Sequence, residues 1–326
     1  MLDLSDQPWV EEAYEGTLEF AEYDEQYLGM PVTVEAFGFI YNEDVVNEAV
    51  GGEFDPASIN TQDALRGLLE DISALEDTEG TYITSEDWTL GAHWTNLPFT
   101  NQSEETEERH QFMEDLKAGE VSLADNEVFN GWLDTFDMAK EFNGAKNSPL
   151  SALFDESTIQ LSSGSAGLWF MGNWAYPPLN ELDPEVNYGI MPVPVSNNPD
   201  DFGNSKISVG VPSYWVVDAE QSTDAEQEAA KEFLNWMVSS EEGQDYYVNE
   251  FKFLPIYNHM DIEPEDTISK QVLEYMENEE TLEWMNLYYP SDAYPTMGES
   301  MQKYLADEIS REELTEEFQT YWESQE

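Results

Sequence analysis

Apolar positions change period several times along the chain. Val32, Thr33, Val34, Phe37, Phe39, Ile40 and Tyr41 crowd one β-branched and aromatic stretch, which predicts a strand over Val32–Asn42. The spacing then becomes helical. Thr61 reads as a helix cap ahead of Ala64, Leu65, Leu68, Leu69, Ile72 and Leu75, with Gly80 as the stop. Helices are also predicted over Phe112–Leu116 and Phe129–Phe142. Leu161–Trp174 carries Gly164, Gly167 and Gly172 and reads as a helix end, a short strand and a loop. Tyr188–Pro194 is a strand stopped by prolines, and Ile207–Val217 is strand-like again. Thr223 to Glu226 forms a capping box before a helix whose apolar face is Ala229, Ala230, Phe233, Leu234, Trp236 and Met237. A second box, Ser310 to Glu313, precedes Leu314, Phe318 and Tyr321. Short strands alternating with helices define an α/β fold class.

Length and charge narrow the picture. A chain of 326 residues with 40% hydrophobic residues exceeds one small core and fits two domains or lobes. Asp and Glu number 71 against 11 Lys and Arg, a formal net charge of −60. That surface repels phosphate backbones and anionic membranes, so nucleic acid is excluded as a partner. The acids are dispersed. This is the solvated surface that halophiles use to stay soluble, and an alkaliphile's secreted proteins resemble it. With no cysteine, disulfides, thiolate metal sites and cysteine nucleophiles are excluded.

Enzymatic and cofactor motifs are missing. There is no glycine-rich phosphate loop. Ser163-Gly164-Ser165-Ala166-Gly167 fails as a nucleophile elbow at its first position. His93, His110 and His259 do not fall at metal-ligand spacing, so neither a metal nor a cofactor is expected. What remains is aromatic. Trp88, Trp94, Trp174 and Tyr176 lie in segments rich in Gly, Asn and Pro, beside His93 and Asn173. Flat rings in such segments stack on the apolar face of sugars.

Several segments together resemble the family 1 extracellular solute-binding proteins. Met30 to Asp44 is similar to that family's proline, strand and "Tyr-Asn-Lys-Asp" element, with Glu43 in place of the lysine. Gly164 to Trp174, ending Phe170-Met171-Gly172-Asn173-Trp174, resembles its "Gly-x-x-Ala-Met … Gly-x-Trp" element. Tyr188-Gly189-Ile190-Met191-Pro192, the helix Ala229–Ser240 and Phe253-Leu254-Pro255 follow in the family's order. Leu2 to Trp9 resembles the family's "Leu-x-Asp-Leu-Ser" segment, which lies well inside the first lobe.

The resemblance implies a two-lobed periplasmic-binding-protein-like α/β fold with three hinge crossings and a first lobe that is incomplete at its N-terminal side. Lobe one would be 1–35 with 213–289, and lobe two 36–212 with 290–326. It implies a sugar or oligosaccharide held between the lobes and delivered to the membrane permease of an ABC importer. It further implies a monomer, no catalysis, and an extracellular or periplasmic location with a lipoprotein anchor on the full-length form. Glu35 matches a carboxylate that accepts sugar hydroxyls, and Trp174 a stacking tryptophan. Tyr176, Trp88, His93, Trp94 and Tyr294 fall in segments that carry further contacts. A secreted glycoside hydrolase and an acidic interaction protein are the alternatives.

Overall fold

The computed structural model describes residues 1–325. The chain divides into two compact units, Met1–Ala36 with Val209–Glu274, and Phe37–Ser208 with Tyr275–Glu326. The third border thus lies at 274/275, whereas the sequence places it at 289/290. The reason is packing: Trp284, Met285 and Tyr289 are buried in the second unit's core, with Trp284 only 5.0 Å from Phe37 between ring centroids.

The second unit is built on a mixed sheet around the strand Glu35–Asn42. This strand pairs antiparallel with Ala166–Gly172, setting Phe39 against Phe170, and with Tyr188–Met191, setting Ile40 against Ile190. All seven residues of Ala166–Gly172 are buried, as a strand covered on both faces must be. Glu79–Tyr82 adds in parallel, so Gly80 lies inside a strand and does not end a helix. The helix before it, Gln62–Ser73, starts where Thr61 Oγ1 accepts the Ala64 N–H at 3.1 Å. Its Leu65, Leu68, Leu69 and Ile72 enter the core. Helices Thr106–Lys117 and Glu127–Glu141 cover the same core with Met113, Leu116, Phe129, Trp132 and Phe136.

The first unit is smaller. Met30–Pro31, just ahead of the predicted strand Val32–Asn42, pairs antiparallel with Tyr214–Trp215; that prediction is shortened to Glu35–Asn42, and the predicted strand Ile207–Val217 is broken into Ile207–Gly210 and Tyr214–Trp215. Side chains take over where the ladder stops. Tyr257 donates to the Pro31 carbonyl at 2.8 Å, and Thr33 Oγ1 accepts the Leu254 N–H at 2.9 Å. The capping box at Thr223 opens the helix Asp224–Ser239, whose buried residues are Leu234, Met237 and Val238. Phe233, placed on the apolar face by the sequence, is instead exposed and stacks on Trp236 at 6.0 Å.

Candidate functional site

An aromatic cluster forms in the second unit where three segments meet. The first is the turn Thr89–Trp94, which is π-helical. Its wider i→i+5 repeat puts Trp88 and His93 on one side, and their rings meet edge to face at 5.4 Å. Wide turns of this kind recur at functional sites because they displace side chains from the regular helical stripe. The turn packs backbone to backbone on the helix Ala293–Leu305: a side chain at Gly91 would come within 2.2 Å of the Tyr294 carbonyl oxygen. Thr95 Oγ1 closes the turn by donating to the Gly91 carbonyl at 2.7 Å.

The second segment is the strand end and 3-10 turn Gly172–Ala175. The Trp174 ring lies over Gly172, where any Cβ would sit about 2.0 Å from it. This contact holds Trp174 half-buried, 5.1 Å from His93 and 6.4 Å from Trp88. The third segment, Thr281–Tyr288, brings Trp284 edge-on to Trp174 at 6.5 Å and within 6.1 Å of His93. Phe37 closes the base, stacked on His93 at 4.6 Å.

The cluster's electrostatics are neutral. Desolvation among these rings pushes His93 down to about 3, so it is an uncharged imidazole carrying one donor and one acceptor. No hydrogen bond to its ring is formed among the described residues. Trp284 Nε1 and Asn286 Oδ1 are also buried without a partner among the described residues. The rings over which a lysine or arginine lies are Phe142, Tyr304 and Phe202, none of them in the cluster. An ion pair sits behind it instead. Arg109, 7% exposed, binds Glu283 at 2.6 Å, and His110 reaches the same carboxylate at 3.1 Å. Asn96 donates to the Glu283 carbonyl and accepts the Asn286 N–H, both at 3.2 Å, so the segment carrying Trp284 is pinned on both sides.

Of the residues singled out by sequence, the structure brings Trp88, His93 and Trp174 together. Trp94 is a core residue: its ring is 1% exposed and packs on Phe170 at 4.1 Å and Phe136 at 5.0 Å. The π-helical turn rotates it inward while turning His93 outward, so no ligand role is left for it. Tyr294 donates to the Asn286 carbonyl at 2.9 Å and thereby buttresses the Trp284 segment, and burial raises its phenol. Tyr176 opens the helix Tyr176–Leu182 and donates to Asn180 Oδ1 at 3.2 Å. Glu35 belongs to the first unit, at the start of the strand that continues into the second. Sequence reasoning missed Phe37 and Trp284. Phe37 was visible as a strand aromatic alternating with Phe39, whereas nothing around Trp284 distinguishes it. A separate groove of about 1190 Å³ along the helix Arg311–Glu323 is lined by acids, polar residues, Arg311, Val121 and Ala124 and has no aromatic ring in its lining.

A protein of this construction is an extracellular solute-binding protein. Residues 2–271 match the model of the bacterial extracellular solute-binding protein family, and the chain belongs to that family. Comparison with the curated proteins gives no match. Among solved structures, a family 1 extracellular solute-binding protein from Bifidobacterium longum subsp. infantis is 21% identical, with a TM-score of 0.67, covering 99% of this chain and 80% of that one. RafE in complex with raffinose is 19% identical with a TM-score of 0.78, covering 99% and 79%. A sugar transporter from Bacillus licheniformis in complex with stachyose is 18% identical with a TM-score of 0.74, covering 99% and 80%. These likenesses establish the solute-binding-protein fold.

Proposed function

We propose that the chain is the substrate-binding component of an ABC importer, and that it takes a neutral sugar or oligosaccharide at the aromatic cluster of its second unit. The observation that carries this reading is Trp174. Its ring is held over Gly172, half-buried, beside a neutral imidazole that makes no hydrogen bond to the protein among the described residues. An apolar ring face with an adjacent donor and acceptor suits a pyranose, whose C–H face stacks while its hydroxyls need both kinds of partner. The absence of a cation over these rings among the described residues disfavours an anionic ligand. The raffinose and stachyose bound by the structural relatives agree with this class. The protein acts outside the cytoplasm as a monomer, passes its ligand to permease subunits, and performs no chemistry on it.

A thermal-shift screen of mono- and oligosaccharides tests the reading, because a ligand of the native state raises the melting temperature. Calorimetric titration with the best saccharide should then show Trp174→Ala losing about thirty- to a thousandfold in affinity, or ~2–4 kcal/mol. No shift with any saccharide, or an unchanged affinity in Trp174→Ala, overturns it.

A further inference from the structure

Five residues apart, Trp88 and His93 would point about 140° away from each other around a regular α-helix. They meet because the turn Thr89–Trp94 is π-helical. Wide turns are rare inside helices, and here a neighbour, the helix Ala293–Leu305, braces the turn. The two backbones meet at a pair of glycines. A Cβ on Gly91 would lie 2.2 Å from the Tyr294 carbonyl oxygen and 2.6 Å from the Gly298 nitrogen. A Cβ on Gly298 would lie 2.8 Å from the Asp87 Cβ and 2.9 Å from the Asp87 Cα. The crossing thus brackets Trp88, with Asp87 on one side and Gly91 on the other. Gln302 of the same helix adds a tie by donating to the Ser85 carbonyl at 2.8 Å. The helix also reaches the segment that carries Trp284, because Tyr294 donates to the Asn286 carbonyl at 2.9 Å. Two of the three segments that build the cluster are therefore registered on one helix, at a point where only glycine fits.

We propose that Gly91 and Gly298 are positioning residues for the ligand: their backbone crossing sets the spacing of Trp88 and His93 from Trp174. The inference rests on the sugar-binding reading above, which concerns the rings and not what holds them. A sugar stacked on Trp174 needs its hydroxyl partner within a hydrogen-bond window about half an ångström wide. A methyl group at either glycine meets backbone or a Cβ, neither of which swings aside as the end of a flexible side chain does. The turn must then move off the helix and carry Trp88 and His93 with it. Gly131 separates positioning from plain packing. Its Cβ would lie 2.1 Å from the Val195 carbonyl oxygen, an equally close approach, but its helix, Glu127–Glu141, contributes no ring to the cluster.

The test sets Gly91→Ala and Gly298→Ala against Gly131→Ala in the full chain, by calorimetric titration with maltose, raffinose and stachyose well below each melting temperature. Both crossing variants should lose at least about tenfold in affinity for whichever of these sugars the parent binds, because a displacement of ~1 Å at a preorganised site costs up to about a hundredfold. Gly131→Ala should lower the melting temperature and keep the parent's affinity. A second readout needs no ligand. The near-ultraviolet circular dichroism that Trp88 contributes beside Trp174, obtained by subtracting the Trp88→Phe spectrum in each background, should shrink in the crossing variants and persist in Gly131→Ala. Should Gly91→Ala not fold, Gly298→Ala carries both readouts, since its methyl first meets the Asp87 Cβ at 2.8 Å and not a backbone oxygen at 2.2 Å. Parent affinity in a crossing variant, a loss no larger than that of Gly131→Ala, or an unchanged Trp88 signal overturns the assignment. A parent that binds none of the three sugars counts against the sugar-binding reading instead, and the dichroism still decides whether the crossing sets the cluster.

Discussion

Burial pushes the Glu35 carboxyl from its ordinary 4.5 up to about 7, with desolvation as the cause and no basic partner to oppose it. The folded chain therefore holds a proton that the unfolded chain releases near pH 4.5. Between 4.5 and 7 the native state binds more protons than the unfolded state, so this residue's contribution to stability falls as pH rises and is constant above that window. Glu35→Gln, which mimics the neutral acid, should be more stable than the parent at pH 8, by on the order of 2 kcal/mol, and equal to it at pH 4. Urea unfolding at both pH values measures this. A variant with no advantage at pH 8 means that the carboxylate is solvated. At this scale Trp174 was legible because Gly172 and Asn173 announce a loop. Trp94 was misread because Trp88, His93 and Trp94 look equivalent in a run of Gly, Asn and Thr. Only the π-helical turn separates the ring that faces inward from those that do not.

The segment Thr281–Tyr288 shows what an element can hide. Its strand is three residues long and its partners are far away in sequence, so no periodicity marks it. What fixes it is the buried Arg109 guanidinium on Glu283. Removing one partner of such a pair leaves the other desolvated and uncompensated. Arg109→Ala should lower unfolding free energy by about 3 kcal/mol, less if His110 compensates, and should weaken saccharide binding through displacement of Trp284. Denaturant titration and calorimetry on the same variant check both effects. A loss below about 0.5 kcal/mol means that apolar packing alone holds the segment. The helices capped by Thr61, Thr223 and Ser310 were readable because side-chain caps are local; within Leu161–Trp174 a short strand was readable, but neither its seven-residue length nor its full burial was. The exposure of Phe233 was not readable, because which part of an apolar helix face gets covered depends on elements outside the helix.

For the molecule as a whole, composition speaks more directly than pattern. Two units were expected from length; the sequence reading divides the chain at 35/36, 212/213 and 289/290, and the structure groups it into units with borders at 36/37, 208/209 and 274/275. The third pair differs most, because the aromatic run ending at Tyr289 packs in the second unit's core. The charge was fully legible: 71 acids face 11 bases. Three of the 11 cations tie separate elements together. Arg109 clamps Glu283, Arg311 ties Asp134 and Asp137 to the C-terminal helix, and Lys140 lies over the Tyr304 ring at 4.0 Å while binding Asp307 at 3.0 Å. Such pairs cannot offset a net charge of −60, so folding gathers like charges that the unfolded chain keeps apart. The resulting repulsion is long-ranged at low salt, where the Debye length is ~30 Å at ~0.01 M, and is confined to ~3 Å at ~1 M. The melting temperature should therefore climb steadily as NaCl or KCl is raised from ~0.01 M to ~1 M and above. Because screening acts on charge of either origin, the two chlorides should give similar curves. The rise should be smaller in a variant with several exposed Glu replaced by Gln, since fewer like charges remain to be screened. A melting temperature that is flat or falls with salt would show that the acidic surface is already neutralised or well separated, and that it is no adaptation to a saline medium.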